Sequence, residues 1–239
     1  MMQNRFTHLT IIGSVTLLWL LPIGCQQPTR KDPPAHTNVP PKVIQPLDYA
    51  QCKQHVTALK KQYAAQWQGL NKEKKQRLFT QIMADSILPY WLGTPWGFYG
   101  TTETPLQGQI ACGYFVTTTL RDAGLPLQRT KLAQCASEQM IRTLVQPAYI
   151  QRFSHVPLAD FVANIKKQGY GLYLIGLDSH TGFLYHDGRE VYFIHASYIG
   201  QKVVTKELAA SSAILQASQY KITGKISADE VALDKWGGR

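Results

Sequence analysis

Residues His180–His195 read HTGFLYHDGREVYFIH, and no other stretch constrains the fold as much. Apolar and aromatic residues flank an Asp-Gly pair on both sides. Asp-Gly is a strong hairpin signal, because a two-residue type I′ turn needs positive φ at both central positions. The pattern predicts two antiparallel strands joined at Asp187 and Gly188. In that register His186 pairs with Arg189 and His180 lies directly opposite His195. Gly182 then faces Phe193 and leaves open space beside the imidazoles. Directly opposed residues share a sheet face, with Cβ atoms about 4.5–5.5 Å apart. Two adjacent imidazoles are an unusual use of histidine, the side chain whose charge changes near neutral pH.

The rest of the chain sorts into helices before this hairpin and strands around it. Tyr49, Cys52, Val56, Leu59 and Tyr63 recur at helical spacing. Asn71 reads as the N-cap of a second helix carrying Leu78, Phe79, Ile82, Met83 and Ile87, which Pro89 should end or kink. Gly93–Gln109, rich in Gly, Thr and Pro, reads as loop. A helix starts near Cys112, with Phe115, Val116, Thr119, Leu120 and Ala123 on one face and Gly124 as its stop. Another runs through Leu158, Phe161, Val162 and Ile165 to Gly169. Gly171–Leu177 reads as a buried strand, Gln201–Leu208 and Tyr220–Lys225 as further strands, and Ala228–Trp236 as a closing helix. Helices first and an antiparallel sheet second make an α+β class, with one domain over residues 49–239.

The first 27 residues, MMQNRFTHLTIIGSVTLLWLLPIGCQQ, carry Arg5 and then an apolar run from Leu9 to Ile23. A charged start and a short apolar centre are the marks of an export signal, expected over residues 1–24. The run of about 15 residues is shorter than the roughly 20 a membrane span needs. Its end, LLPIGC, resembles a bacterial lipobox, which would make Cys25 the lipidated residue and anchor the chain to an outer-membrane or surface leaflet. Residues 25–48 hold six prolines and few aliphatics and read as an extended tether. The net charge of +10 suits an anionic partner. No nucleic-acid motif accompanies it. The basic cluster Lys72, Lys74, Lys75 and Arg77 has the spacing of a solvated helix face.

Cys112 stands where a helix begins, between Ala111 and Gly113. The helix dipole and free N–H groups there favour a thiolate, and the same N–H groups suit an oxyanion on an acyl substrate. Small neighbours would admit a substrate backbone. With His180 as base and His195 to orient it, Cys112 has the parts of an activated nucleophile. Other fates are open to a cysteine. It is a common core residue, and exported proteins form disulfides. If Cys25 is lipidated, three cysteines remain, so at least one is unpaired within the chain. Cys52 and Cys135 read as structural, with a bridge between them as one option. A metal site at Cys112, His180 and His195 lacks a clear fourth ligand.

Four segments in order resemble the NlpC-type, papain-like cysteine peptidases of bacterial cell walls: LGTPWGFYGTT (Leu92–Thr102), ACGYFV (Ala111–Val116), AGLPLQRTKLAQ (Ala123–Gln134) and HTGFLYHDGREVYFIHAS (His180–Ser197). The resemblance covers roughly residues 80–200. It implies a papain-like fold with a nucleophile helix packed on an antiparallel sheet. Cys112 matches the nucleophile, His180 the base and His195 the orienting residue. It also implies peptidoglycan stem peptides as substrate, and no cofactor. Ala111 and Gly113 stand where the family has Asp and Ser. Trp96 stands where a tyrosine shapes the oxyanion site, with Tyr99 three residues on. Trp96, Tyr99 and Gly113 are thus the oxyanion and substrate candidates. Two rival functions are a different thiol amidase or acyltransferase with the same triad, and a non-catalytic envelope-binding module on the same fold.

Overall fold

A computed structural model describes residues 48–238. The expected export signal, Cys25 and the tether up to Leu47 lie outside the described residues. Among those described, no helix is long and apolar enough to cross a membrane.

Helix starts are set by side chains that catch free N–H groups. Asp48 accepts from Gln51 N at 2.7 Å and Gln51 Oε1 accepts from Asp48 N at 3.1 Å. This reciprocal cap opens α1 (Tyr49–Ala64), which buries Cys52 and Val56. Asn71 caps α2 (Lys72–Gln81) as expected. Of the two outcomes expected at Pro89, an end or a kink, the helix does not end there. A π-helical stretch, Ile82–Ile87, continues it, and α3 (Leu88–Trp91) contains the proline. Leu88 N–H reaches back to Met83 O, and this wider turn accommodates a ring that would clash in a regular helix.

After the loop come α4 (Cys112–Asp122), α5 (Arg129–Ala133) and α6 (Ser137–Leu144). Gly124, at φ +92°, lets the chain turn back so that its N–H reaches Arg121 O and Leu125 N–H reaches Leu120 O. Strand β1 (Ile150–Ser154) is one that periodicity does not announce; α7 (Leu158–Gln168) and β2 (Gly171–Leu177) follow where expected. The chain closes with β3 (Thr181–His186), β4 (Val191–Ala196), β5 (Val204–Leu208), α8 (Ala213–Ala217), β6 (Tyr220–Gly224) and α9 (Glu230–Trp236).

Among the described residues the sheet has six strands in the order β1-β6-β2-β3-β4-β5, antiparallel at every pairing. The fold is therefore α+β with an open antiparallel sheet. Alternate side chains feed two cores. Leu172, Leu174, Phe183 and Ile194 join the core that holds α4 and the N-terminal helices. Tyr173, Ile175, Leu184 and Phe193 join the core under α7. Each fully buried side chain of this size contributes about 1.5–3 kcal/mol.

The hairpin forms, but one step away from the expected turn. His186 pairs with Val191 and Phe183 with Ile194, and Asp187 N–H bonds Glu190 O at 3.2 Å. Gly188 and Arg189 are the loop residues, not Asp187 and Gly188. Asp187 Oδ1 accepts from Arg189 N at 2.7 Å and Glu190 N at 2.8 Å, which fixes the acid beside the turn instead of in it. Gly188, at φ +105°, takes the first central position. The register therefore moves by two residues. Side chains repeat every two, so each stays on its expected face. His180 and His195 become diagonal neighbours, not direct ones. Continued one step beyond Phe183, the register sets Gly182 against His195 with no open space: a Cβ on Gly182 would stand 2.8 Å from His195 Cβ.

Cys52, Cys112 and Cys135 are all free, so the optional Cys52–Cys135 bridge does not form. Each of those two thiols is turned to a nearby backbone carbonyl, Cys52 to Ser86 O and Cys135 to Leu132 O, both at 3.2 Å.

Candidate active site

Helix α4 begins without a side-chain cap. Its N-cap is Ala111, whereas α1, α2, α8 and α9 are capped by Asp48, Asn71, Ser212 and Asp229. Alanine at this position gives up about 1 kcal/mol relative to a capping residue, and it leaves first-turn N–H groups unclaimed. The N–H groups of Thr181, Gly113 and Cys112 itself are directed at the Cys112 sulfur. Helix α4 packs on β3 and β4 and starts at the end of the sheet, which brings the thiol beside the residue that follows His180.

The loop before α4 is pinned on both sides. Ala111 N–H bonds Gly100 O at 2.8 Å and Ile110 N–H bonds Pro95 O at 2.9 Å. Trp96 N–H bonds Lys202 O at 2.7 Å, and Val204 N–H bonds Thr94 O at 2.8 Å. The Arg129 guanidinium holds Thr101 O at 2.7 Å and Thr118 Oγ1 at 2.7 Å. These bonds tie the loop to the β4–β5 connection and to α4, so the backbone entering Cys112 is fixed.

From His180, which shares a cavity wall with Cys112, runs a chain of polar groups. His180 Nε2 lies 2.9 Å from His195 Nδ1, and His195 Nε2 lies 3.3 Å from Glu207 Oε1. His195 is fully buried and stacks on Phe193 with ring centroids 3.9 Å apart. The Tyr198 ring meets His180 edge-on at 5.2 Å. Burial, and then the neighbouring His195, push the His180 pKa down to about 3. Burial also lowers His195, opposed by its bond to Glu207. The Glu207 carboxyl lies below its ordinary range, chiefly through that same bond.

The helix start was expected to lower the Cys112 pKa. Burial raises it instead, and the three backbone N–H groups only partly offset the effect. Desolvation wins here because it acts on the whole thiolate charge. At rest the site thus holds a neutral thiol and neutral imidazoles, not an ion pair.

Cys112 and His180 share the wall of a cavity of about 710 Å³ with Trp96, Tyr99 and Gly113. Phe98, Tyr114, Tyr198 and Lys202 complete much of its rim. A second cavity of about 260 Å³ also touches both residues and extends to Ser137 and Asp178. Cys112 and His180 thus line both cavities. His195 lines neither cavity and sits one layer deeper.

Cys112, His180, Trp96, Tyr99 and Gly113 line one cavity, and His195 bonds His180; two of these residues do something other than expected. Gly113 does not make room for a substrate: a Cβ there would stand 2.2 Å from Ala133 O, so α5 fills the space. Tyr99 is 89% exposed and leans on Phe98; its place is on the cavity rim. Sequence reasoning missed Glu207 and the Thr181 N–H. Alternation along Val204–Leu208 would put Glu207 and Thr205 on one face, but it does not give the register, Phe193 opposite Glu207, that brings the carboxylate to His195.

No family model, curated protein or solved structure matches this chain.

Proposed function

We propose that this protein is an exported cysteine amidase that cuts peptide bonds in peptidoglycan stem peptides, on a papain-like fold of the NlpC type. The observation that carries the reading is a substrate-sized cavity whose wall holds both Cys112, in a cradle of backbone N–H groups, and His180, which pairs with His195. The four-segment resemblance supplies the substrate class. A lipid on Cys25 would hold the enzyme at the envelope membrane, and the +10 charge favours anionic wall polymers.

The reaction starts from neutral groups. His180 acts as general base and takes the thiol proton as sulfur attacks the amide carbonyl. The carbonyl oxygen becomes an oxyanion, for which the N–H groups of Cys112 and Gly113 are the donors. The protonated His180 then gives its proton to the leaving amine, and the acyl group stays on sulfur. Water, deprotonated by His180, attacks the thioester; the C–S bond breaks, the acid leaves, and the Cys112 thiolate takes the proton back from His180. Protons balance over the cycle and no cofactor enters.

Incubation of the purified protein with muropeptides tests this. Wild type should release new amine and acid termini, and Cys112→Ala should release none. Equal products from both, or none from wild type, would overturn the hydrolase reading.

A further inference from the structure

Glu207 closes the polar chain at the end away from the cavity. Its carboxylate accepts from the buried Ser212 hydroxyl as well as from His195. Ser212 Oγ in turn accepts from Leu215 N at 3.3 Å, at the start of α8. Two elements therefore fix the carboxylate.

An ionised carboxylate only accepts hydrogen bonds, and a neutral imidazole has one N–H and one bare nitrogen. The proton of His195 must then sit on Nε2, facing Glu207. That leaves His195 Nδ1 bare, so the proton in the 2.9 Å contact belongs to His180 Nε2. The remaining nitrogen, His180 Nδ1, is unprotonated. Without the carboxylate, the same contact could be made the other way. His195 Nδ1–H would donate to a bare His180 Nε2, and His180 Nδ1 would carry the proton. In that arrangement Nδ1 has no lone pair for the thiol proton. The two imidazoles alone do not choose between the arrangements.

We infer that Glu207 is a positioning residue that sets the tautomer of both histidines, so that His180 offers a bare Nδ1 as the base for Cys112. The inference rests on the hydrolase reading for its consequence, but not for the tautomers themselves. In the chemical step the S–H bond breaks and an Nδ1–H bond forms. Nε2–H stays in place as a donor to His195, and Glu207 gains no proton. The second imidazole and the carboxylate beyond it face the cation that forms on His180.

The test uses full-length protein with ¹⁵N-labelled histidine at neutral pH. Long-range ¹H–¹⁵N correlation should show both His180 and His195 protonated at Nε2. Glu207→Leu should lose that single pattern. It should also lower kcat on muropeptides by about tenfold to a hundredfold, the range for removal of a partner that orients an imidazole, with KM within twofold. Glu207→Gln keeps an oxygen acceptor and should restore most of both. Nδ1–H on either histidine in wild type would overturn the inference, as would a Glu207→Leu protein that retains the Nε2–H pattern. Wild type that hydrolyses nothing yet shows the expected tautomers would sink the hydrolase reading and leave the role of Glu207 in setting the tautomers standing.

Discussion

Cys52 and Cys112 are both held above the ordinary thiol pKa by burial, yet they are opposite in kind. Cys52 lies within α1 and gives its S–H to Ser86 O. Its sulfur also accepts from the Tyr90 side chain, inside a core. Cys112 lies at the first position of α4 and is surrounded by backbone N–H groups. Its sulfur is an acceptor beside a cavity. Burial alone does not separate a structural thiol from a reactive one. The number of donors and the setting do: Cys52 meets one carbonyl and one hydroxyl inside a core, whereas Cys112 meets three backbone N–H groups on a cavity wall that it shares with His180.

Substitutions can break this comparison. Cys112→Ser should lower kcat by roughly 10⁴-fold or more while leaving the melting temperature near wild type, since loss of a nucleophile removes most of the catalysis. Cys52→Ala should do the reverse, with turnover kept and stability reduced by about 1–3 kcal/mol, since it removes the buried sulfur that bonds Ser86 O and the Tyr90 side chain. Equal loss of turnover in both would erase the distinction. Gly113→Ala tests the setting of the reactive thiol. Its Cβ meets a backbone carbonyl that cannot rotate away, so unfolding in urea should show a loss of about 1–3 kcal/mol.

Acid titration sharpens the comparison at the imidazole beside Cys112. The His180 pKa falls from 6.5 in the unfolded chain to about 3 in the fold. The unfolded state therefore binds a proton first as pH drops, and folding stability declines through the window between these values. His180→Gln should flatten that decline, measured as the urea midpoint against pH. An unchanged slope would mean that His180 is not held neutral. The smallest effect is expected at Cys135, half-buried and bonded to Leu132 O. Cys135→Ser should shift stability by under about 1 kcal/mol, since the hydroxyl can keep the same bond.

Much of this architecture was legible in the sequence. Helical stripes placed α1, α2, α4 and α7, and the change to a two-residue period placed the strands from Gly171 onward. The histidine pair falls on one face in either register, because a shift of two residues is invisible to side-chain direction. Other features depended on distant partners. Ile150–Ser154 becomes a strand only because Tyr220–Gly224 pairs with it. Pro89 stays helical only because the preceding turns widen. The Cys112 shift runs against the local pattern, because a helix start is a local feature whereas burial is a property of the whole packed site. Glu207 needed the β4–β5 register, which no local pattern carries.

The place of Gly188 in the hairpin has an evolutionary consequence. The turn lies at the far end of β3 and β4 from His180 and His195, and pairing beyond the loop begins at His186 and Val191. Residues inserted between Gly188 and Arg189 would lengthen the loop into solvent without moving either imidazole. This hairpin tip can therefore vary in length between descendants, or accept a fused peptide, while the paired strands keep their spacing.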